Sequence, residues 1–217
     1  MCGLFALTIA PEAMRAAFGL AEAVDYPPRA VIRPSEPVLT IRRDRDGQRH
    51  AHLALWGFVP HWMKDWPARR PINARAETIF TKPFFRAAAR HRRCLIPADG
   101  FYEWTGEKGH KHAWLFRRRD GRPLAMAGLW ENWLGADGSE VETCVIITTG
   151  ANADVAPIHE RMPALLPSRA WDAWLDPATA ARDAAALLAP APPGLLSARD
   201  TGNPLRRPPG PQGPGDL

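Results

Sequence analysis

Val141-Glu142-Thr143-Cys144-Val145-Ile146-Ile147-Thr148-Thr149, closed by Gly150, is a β-branched run and reads as a buried strand. Five shorter runs share its character, at residues 38–42, 52–58, 94–97, 113–117 and 124–129. Turns rich in Gly, Pro and Asp separate them, among them Arg45-Asp46-Gly47 and Asp137-Gly138. Helical patterns are fewer. Residues 11–20 carry Pro near the start and Gly19 near the end, and residues 82–91 put Phe84, Phe85 and Ala88 on one side. Residues 168–175, with Ser168 as N-cap, and 177–188, with Pro in the first turn, complete the set. Because strands do not alternate regularly with long helices, a doubly wound parallel sheet is disfavoured. What remains is one α+β domain on a mixed or antiparallel sheet, one able to close into a barrel.

Composition sets the outer limits. The 217 residues suit one domain, and 46% hydrophobic content excludes a wholly disordered chain. No run of 18 apolar residues occurs, so no membrane span is expected. The net charge is +5, and only Lys64, Lys82, Lys108 and Lys111 are lysines among 28 basic residues. Such an arginine bias suits phosphate recognition, and it equally suits a GC-rich genome. Three cysteines without a CxxC pair argue against a disulfide framework or a cysteine-based zinc site. Cys94 and Cys144 lie in apolar runs and read as buried thiols. With no basic leader, a reducing cytoplasm is the expected compartment. From Pro190 onward eight prolines fall in 28 residues, too little apolar surface to offset ordering entropy. The domain is therefore expected over residues 1–202, with a disordered tail over 203–217.

Cys2 is the sharpest chemical feature. Removal of Met1 would leave it N-terminal, with an α-amine (pKa about 7.7–8.0) and a thiol (about 8.5) on adjacent carbons. The thiol could then attack an acyl carbon with the amine as base. Alternatively the amine could condense with an aldehyde to a Schiff base, which the thiol closes to a thiazolidine. Position 2 alone is also compatible with a start-site coincidence.

Three further segments carry candidate chemistry. Trp56-Gly57-Phe58-Val59-Pro60-His61-Trp62 leads into a basic stretch from Lys64 to Arg70 that contains Trp66, and then into Asn73-Ala74-Arg75-Ala76-Glu77-Thr78. Aromatic rings among cations hold unpaired bases by stacking, although Trp56 and Trp62 also read as core residues beside a turn. Asn73 is an amide able to support an oxyanion or a nucleophile, or merely a turn residue. Glu103, between Tyr102 and Trp104, is a carboxylate placed for desolvation and hence for proton transfer; an exposed strand position is the alternative. His159-Glu160-Arg161 sets an acid/base two residues from a phosphate-binding fork. The other histidines have no partners that make a metal site, and no cofactor is expected.

Taken together, these segments resemble the SOS response-associated peptidase (SRAP) family, the abasic-site processing proteins. The pieces are Met1-Cys2-Gly3, the stretch from Trp56 to Trp62, Asn73 to Thr78, Arg93 to Trp104, Ala127-Gly128-Leu129-Trp130-Glu131, Thr148 to Asn152 and His159 to Pro163. The resemblance implies a β pseudo-barrel with flanking helices. It also implies a protein that binds single-stranded DNA and traps abasic sites covalently. On that basis Cys2 is the residue that forms the thiazolidine with the ring-opened sugar, and Asn73 hydrogen-bonds it. Glu103 shuttles protons in Schiff-base formation and reversal, and His159 assists opening of the deoxyribose ring. Arg75, Arg86 and Arg161 resemble phosphate contacts, Trp66 a stacking residue, and the protein a monomer.

The family's start commonly has Arg at its fourth position; here it is Leu4. A class II glutamine amidotransferase also opens on Met-Cys-Gly. That enzyme would need a further synthase or acceptor site and would give Glu103 and His159 no task.

Overall fold

The computed structural model of the chain describes residues 2–107 and 110–205. It opens on β1 (Leu4–Leu7), buried throughout, and α1 (Pro11–Phe18). Pro11 brings a fixed φ suited to the first helical turn. Gly19 stops the helix at φ 62°, a left-handed conformation costly for other residues. Then come β2 (Arg29–Ile32), β3 (Pro37–Arg43), β4 (Arg49–Trp56), β5 (Asn73–Arg75), α2 (Arg86–His91), β6 (Arg93–Ala98) and β7 (Gly100–Thr105). The chain continues through β8 (His112–Arg118), β9 (Leu124–Leu134), β10 (Glu140–Gly150), β11 (Arg161–Pro163), α3 (Trp171–Leu175), α4 (Ala181–Ala186) and β12 (Leu196–Asp200).

These strands form two sheets, as the α+β expectation requires. One is antiparallel in the order β12-β8-β7-β1-β2. The other runs β11-β10-β4-β3-β6-β9, and β9 returns to pair with β10, so β10, β4, β3, β6 and β9 close into a ring. Closure removes two sheet edges that would otherwise expose unpaired backbone. The ring is mixed: β10 runs parallel to β4 and β5 and antiparallel to β9 and β11. Phe5 of β1 meets Trp56 of β4 edge-on, with centroids 5.2 Å apart, so the inner faces of the two sheets share one core. Where β7 starts against β8, a Cβ at Gly100 would stand 2.5 Å from the Phe116 carbonyl oxygen. Only glycine permits that approach.

All six strand expectations correspond to strands of the fold; the helical ones need correction. Ser168 is not an N-cap. It lies inside a short 3-10 turn, Ser168–Ala170, whose preceding residue is Pro167, and no side chain caps that turn. The last helix begins at Ala181, four residues after Pro177, and α2 begins at Arg86. The segment from Pro190 also does more than its composition suggests. Ala191 and Leu196 are buried, and β12 pairs with β8 along its whole length. A neighbouring strand supplies the ordering that local apolar content lacks. Of the expected tail, residues 206–217 lie outside the described residues.

Arg93 knits the helical side to the ring. Its buried guanidinium donates to the carbonyls of Trp174 (2.5 Å), Ala89 (2.9 Å) and Arg90 (3.1 Å), and also to that of Asp176. Burial pushes its pKa down, and only the Asp176 carboxylate acts the other way. Replacing Arg93 with Met would orphan several buried carbonyls. We expect a loss on the order of 3 kcal/mol, or a fall of roughly 6–12 °C in melting temperature for a chain of this size. Arg93→Lys should recover little, because an ammonium has no fork. Thermal unfolding of both variants checks this.

Candidate active site

The site forms where the two sheets meet. From the antiparallel sheet, β1 and β7 pair in the register Leu4↔Tyr102, Phe5↔Phe101, Ala6↔Gly100. Gly3 precedes the Leu4↔Tyr102 pair and Glu103 follows it, so this register brings the Cys2–Gly3 segment and the carboxylate to the same end of the two strands. Cys2 is fully buried and Glu103 is 1% exposed. From the ring sheet, β5 lies parallel to β10 with Asn73 opposite Ile146. Asn73 donates from Nδ2 to the Cys2 carbonyl at 2.8 Å. Its Oδ1 is buried and accepts no hydrogen bond among the described residues.

Electrostatics couple the same residues. Burial pushes the Cys2 thiol well up, and the Glu103 carboxylate pushes it further. The thiol is therefore held protonated, and it donates weakly to the Leu4 carbonyl at 3.6 Å. Burial also raises Glu103 above the ordinary carboxylate range, against the opposing charges of the chain's amino terminus and of His159. His159 thus belongs to the same electrostatic neighbourhood. It is reached through a turn that Asn152 organises, with Oδ1 accepting from the N–H groups of Asp154 and Val155 at 3.2 Å each. The main-chain N–H of Arg161 donates to His159 Nδ1 at 2.9 Å. The same nitrogen lies 3.1 Å from the Arg161 carbonyl, to which it would have to donate, so the two contacts suit opposite tautomers of the neutral ring.

The cationic candidates divide. Arg75 and Arg86 are exposed, at the end of β5 and the start of α2. Arg161 is committed elsewhere: its fork grips Glu77 at 2.6 and 3.0 Å and also donates to the Thr148 carbonyl at 2.6 Å. That grip, more than any other contact, lowers the Glu77 pKa. No signal within residues 73–78 reveals this role for Glu77, since its partner lies 84 residues away.

The aromatics divide too. Trp56 is core, with Nε1 donating to the Ile72 carbonyl at 2.9 Å. Trp66 lies under the Arg70 guanidinium (4.9 Å) and edge-on to Trp133 (4.9 Å), leaving it 37% exposed. Trp62, which the sequence also allowed as core, stands 53% exposed against the edge of Phe84. Leu4, where an arginine is common in the family it resembles, packs with Ala6, Tyr102, Ala113 and Leu115 in a small second cluster and brings no charge.

Among the described residues no group of three or more His, Cys, Asp or Glu is placed to hold a metal ion, and no helix is long and apolar enough to cross a membrane. Cys94 and Cys144, expected as core thiols, are fully buried.

The abasic site processing protein YoqW of Bacillus subtilis is 37% identical over 182 residues, covering 82% of this chain and 81% of the relative. The abasic site processing protein YedK of Escherichia coli is 30% identical over 195 residues, covering 87% and 86%. A crystal structure of a protein from Bacteroides thetaiotaomicron superposes with a TM-score of 0.83 at 27% identity, covering 92% of this chain and 91% of that one. With the family model of the SOS response associated peptidase matching residues 1–203, the chain belongs to the SRAP family.

Proposed function

We propose that this protein captures abasic sites in single-stranded DNA as a thiazolidine on Cys2, once Met1 has been removed. The observation that carries the reading is the Asn73 amide on the Cys2 carbonyl, beside a buried Glu103. The abasic-site role of the relatives supports it. Removing Met1 transfers the α-amine to Cys2, and the sequence of bonds then balances. The amine adds to the sugar aldehyde, and water leaves as the C=N bond forms. The thiol sulfur adds to that carbon while its proton passes to nitrogen, for a net loss of one water. In this order the amine attacks first and the thiol closes the ring.

Each neighbour has a task in the scheme. His159, in the electrostatic neighbourhood of Glu103, gives a proton to the ring oxygen as the hemiacetal opens. Glu103, held towards its acid form, protonates the departing hydroxyl and takes part in reversal by the opposite transfer. Asn73 fixes the Cys2 backbone and offers Oδ1 to the adduct. Arg75 and Arg86 bind backbone phosphates, and Trp62 with Trp66 stacks bases. Arg161 could join them only by exchanging Glu77 for phosphate.

Incubating the processed protein with three oligonucleotides tests the reading: one with an abasic site, one with a tetrahydrofuran analogue that has no aldehyde, and one intact. A denaturation-resistant adduct is expected with the first alone. Adduct with the analogue, or none with the abasic strand, overturns the proposal.

Single-strand binding should also follow salt. Arg75→Ala and Arg86→Ala should each weaken binding whatever the base sequence, and each should reduce the slope of log K against log salt by about 0.7. Fluorescence anisotropy at several salt concentrations measures both. An unchanged slope removes that arginine from the interface.

A further inference from the structure

We infer that Glu131 and Trp133 of β9 are positioning residues for the DNA strand: they hold the loop between β4 and β5 so that Trp62 and Trp66 stand ready to stack bases before a strand arrives. The inference rests on the stacking role given to those two rings above. It also gives a task to the Gly128-Leu129-Trp130-Glu131 stretch, which the capture chemistry leaves idle.

β9 pairs with β6 only as far as Leu129 and then runs on to Leu134 beside β10. Residues 131 and 133 of that extension share one face of the strand. Both are buried, Glu131 at 3% and Trp133 at 6% exposed, and both reach the loop. Glu131 Oε2 lies 3.0 Å from His61 Nδ1. The Arg92 guanidinium, 2.7 and 2.9 Å from the two Glu131 oxygens, lies 3.4 Å from the same ring nitrogen. His61 therefore has a partner in either tautomer: a protonated Nδ1 donates to the carboxylate, and a bare Nδ1 accepts from the arginine. Further along the loop, Trp133 Nε1 donates to the Met63 carbonyl at 2.7 Å, and the Trp133 ring meets Trp66 edge-on.

Trp62 stands between the two anchored residues, 61 and 63, with its own ring more than half exposed. The loop's other end is tied by Arg70, which covers Trp66 and donates to Ser35 Oγ and to the Pro67 carbonyl, each at 3.0 Å. At the base the Phe58 N–H donates to the Pro71 carbonyl at 2.9 Å. The braced loop then leads directly into Asn73, the residue that holds Cys2. A ring already fixed loses little conformational freedom when a base stacks on it, whereas a free one must be ordered by the strand. Glu131 and Trp133 thus act on DNA through residues 61, 63 and 66.

A competing account makes Glu131 a restraint on Arg92, keeping that cation from phosphate. Glu131→Gln and Trp133→Phe separate the two, the first removing the carboxylate and the second the Nε1 donor while keeping an aromatic ring. Fluorescence anisotropy measures binding to a thymine oligonucleotide and to a strand of equal length made of tetrahydrofuran residues, which has phosphates but nothing to stack. Each variant should bind the thymine strand about two- to tenfold more weakly, the order expected when one or two side chains must be immobilised on binding. The baseless strand should bind as it does to the wild type, with the salt slope unchanged, since no phosphate contact is lost. Hydrogen exchange in a peptide over residues 61–70 should quicken in both variants, while β1, β7 and β10 exchange as in the wild type. Equal losses on the two strands, unaltered exchange in the loop, or tighter binding with a steeper salt slope in Glu131→Gln overturns the inference. If the wild type binds both strands alike, the stacking reading fails, and hydrogen exchange alone still decides whether β9 holds the loop.

Discussion

Cys2→Ala should yield no denaturation-resistant adduct with abasic single-stranded DNA, at any protein concentration that saturates the strand. The reason lies in which bond survives denaturation. Alanine at position 2 keeps the α-amine, so a Schiff base with the aldehyde still forms, but no sulfur is present to close the ring. An open imine hydrolyses when the protein unfolds; a thiazolidine, with carbon bound to both nitrogen and sulfur, does not open as readily. The variant should therefore give an adduct only when borohydride reduces the imine before denaturation. Its fold should persist, because the sulfur's one hydrogen bond among the described residues is weak, to the Leu4 carbonyl at 3.6 Å, and losing one buried heavy atom costs roughly 1 kcal/mol. Intact mass must show that Met1 has left both proteins, since a retained Met1 would block the amine in either. An adduct from Cys2→Ala without borohydride would assign the linkage to another nucleophile. Failure of the variant to be trapped by borohydride would mean that the α-amine is not the first attacker.

Much of this site is visible in sequence, and its limits follow from separation along the chain. Position 2 alone also fits a start-site coincidence, and Glu103 between Tyr102 and Trp104 also fits an exposed strand position. Both become legible only through the order of the segments taken together. Glu77 is the opposite case: an acid two residues from Arg75 reads as an ordinary surface charge, and its partner Arg161 becomes visible only when β5 and β11 flank β10. Trp62 shows a related limit. The sequence also allowed it as core beside a turn, but its exposure is set by a neighbour from elsewhere, Phe84. The fold shows the same division. Long β-branched runs such as β10 announce themselves, whereas β12 draws its order from β8, and nothing in Leu196–Asp200 alone signals a strand.

Glu103→Gln should separate two consequences of one buried carboxyl. Burial holds the folded-state pKa above the ordinary carboxylate range, so between the unfolded and folded values the native state binds more protons than the unfolded one. Stability must then fall as pH rises through that window, the reverse of the usual salt-bridged carboxylate. Glutamine does not titrate. The stability of Glu103→Gln relative to wild type should accordingly be lowest at acid pH, where both side chains are neutral, and should grow as pH rises from the unfolded carboxyl value of about 4.3. Denaturant titrations at several pH values measure this directly. A difference that is flat or shrinks with pH would place an ionised Glu103 in a favourable setting and remove it as a proton donor. Function should move in the other direction. An amide cannot protonate the departing hydroxyl, so adduct formation and its reversal should both slow by about 10²-fold, within the range for losing a general acid–base group. The wild-type rate should decline above the folded Glu103 pKa, and that limb should be absent from Glu103→Gln. A variant more stable at neutral pH and slower in both directions is the signature of a carboxyl kept protonated for transfer at the cost of stability.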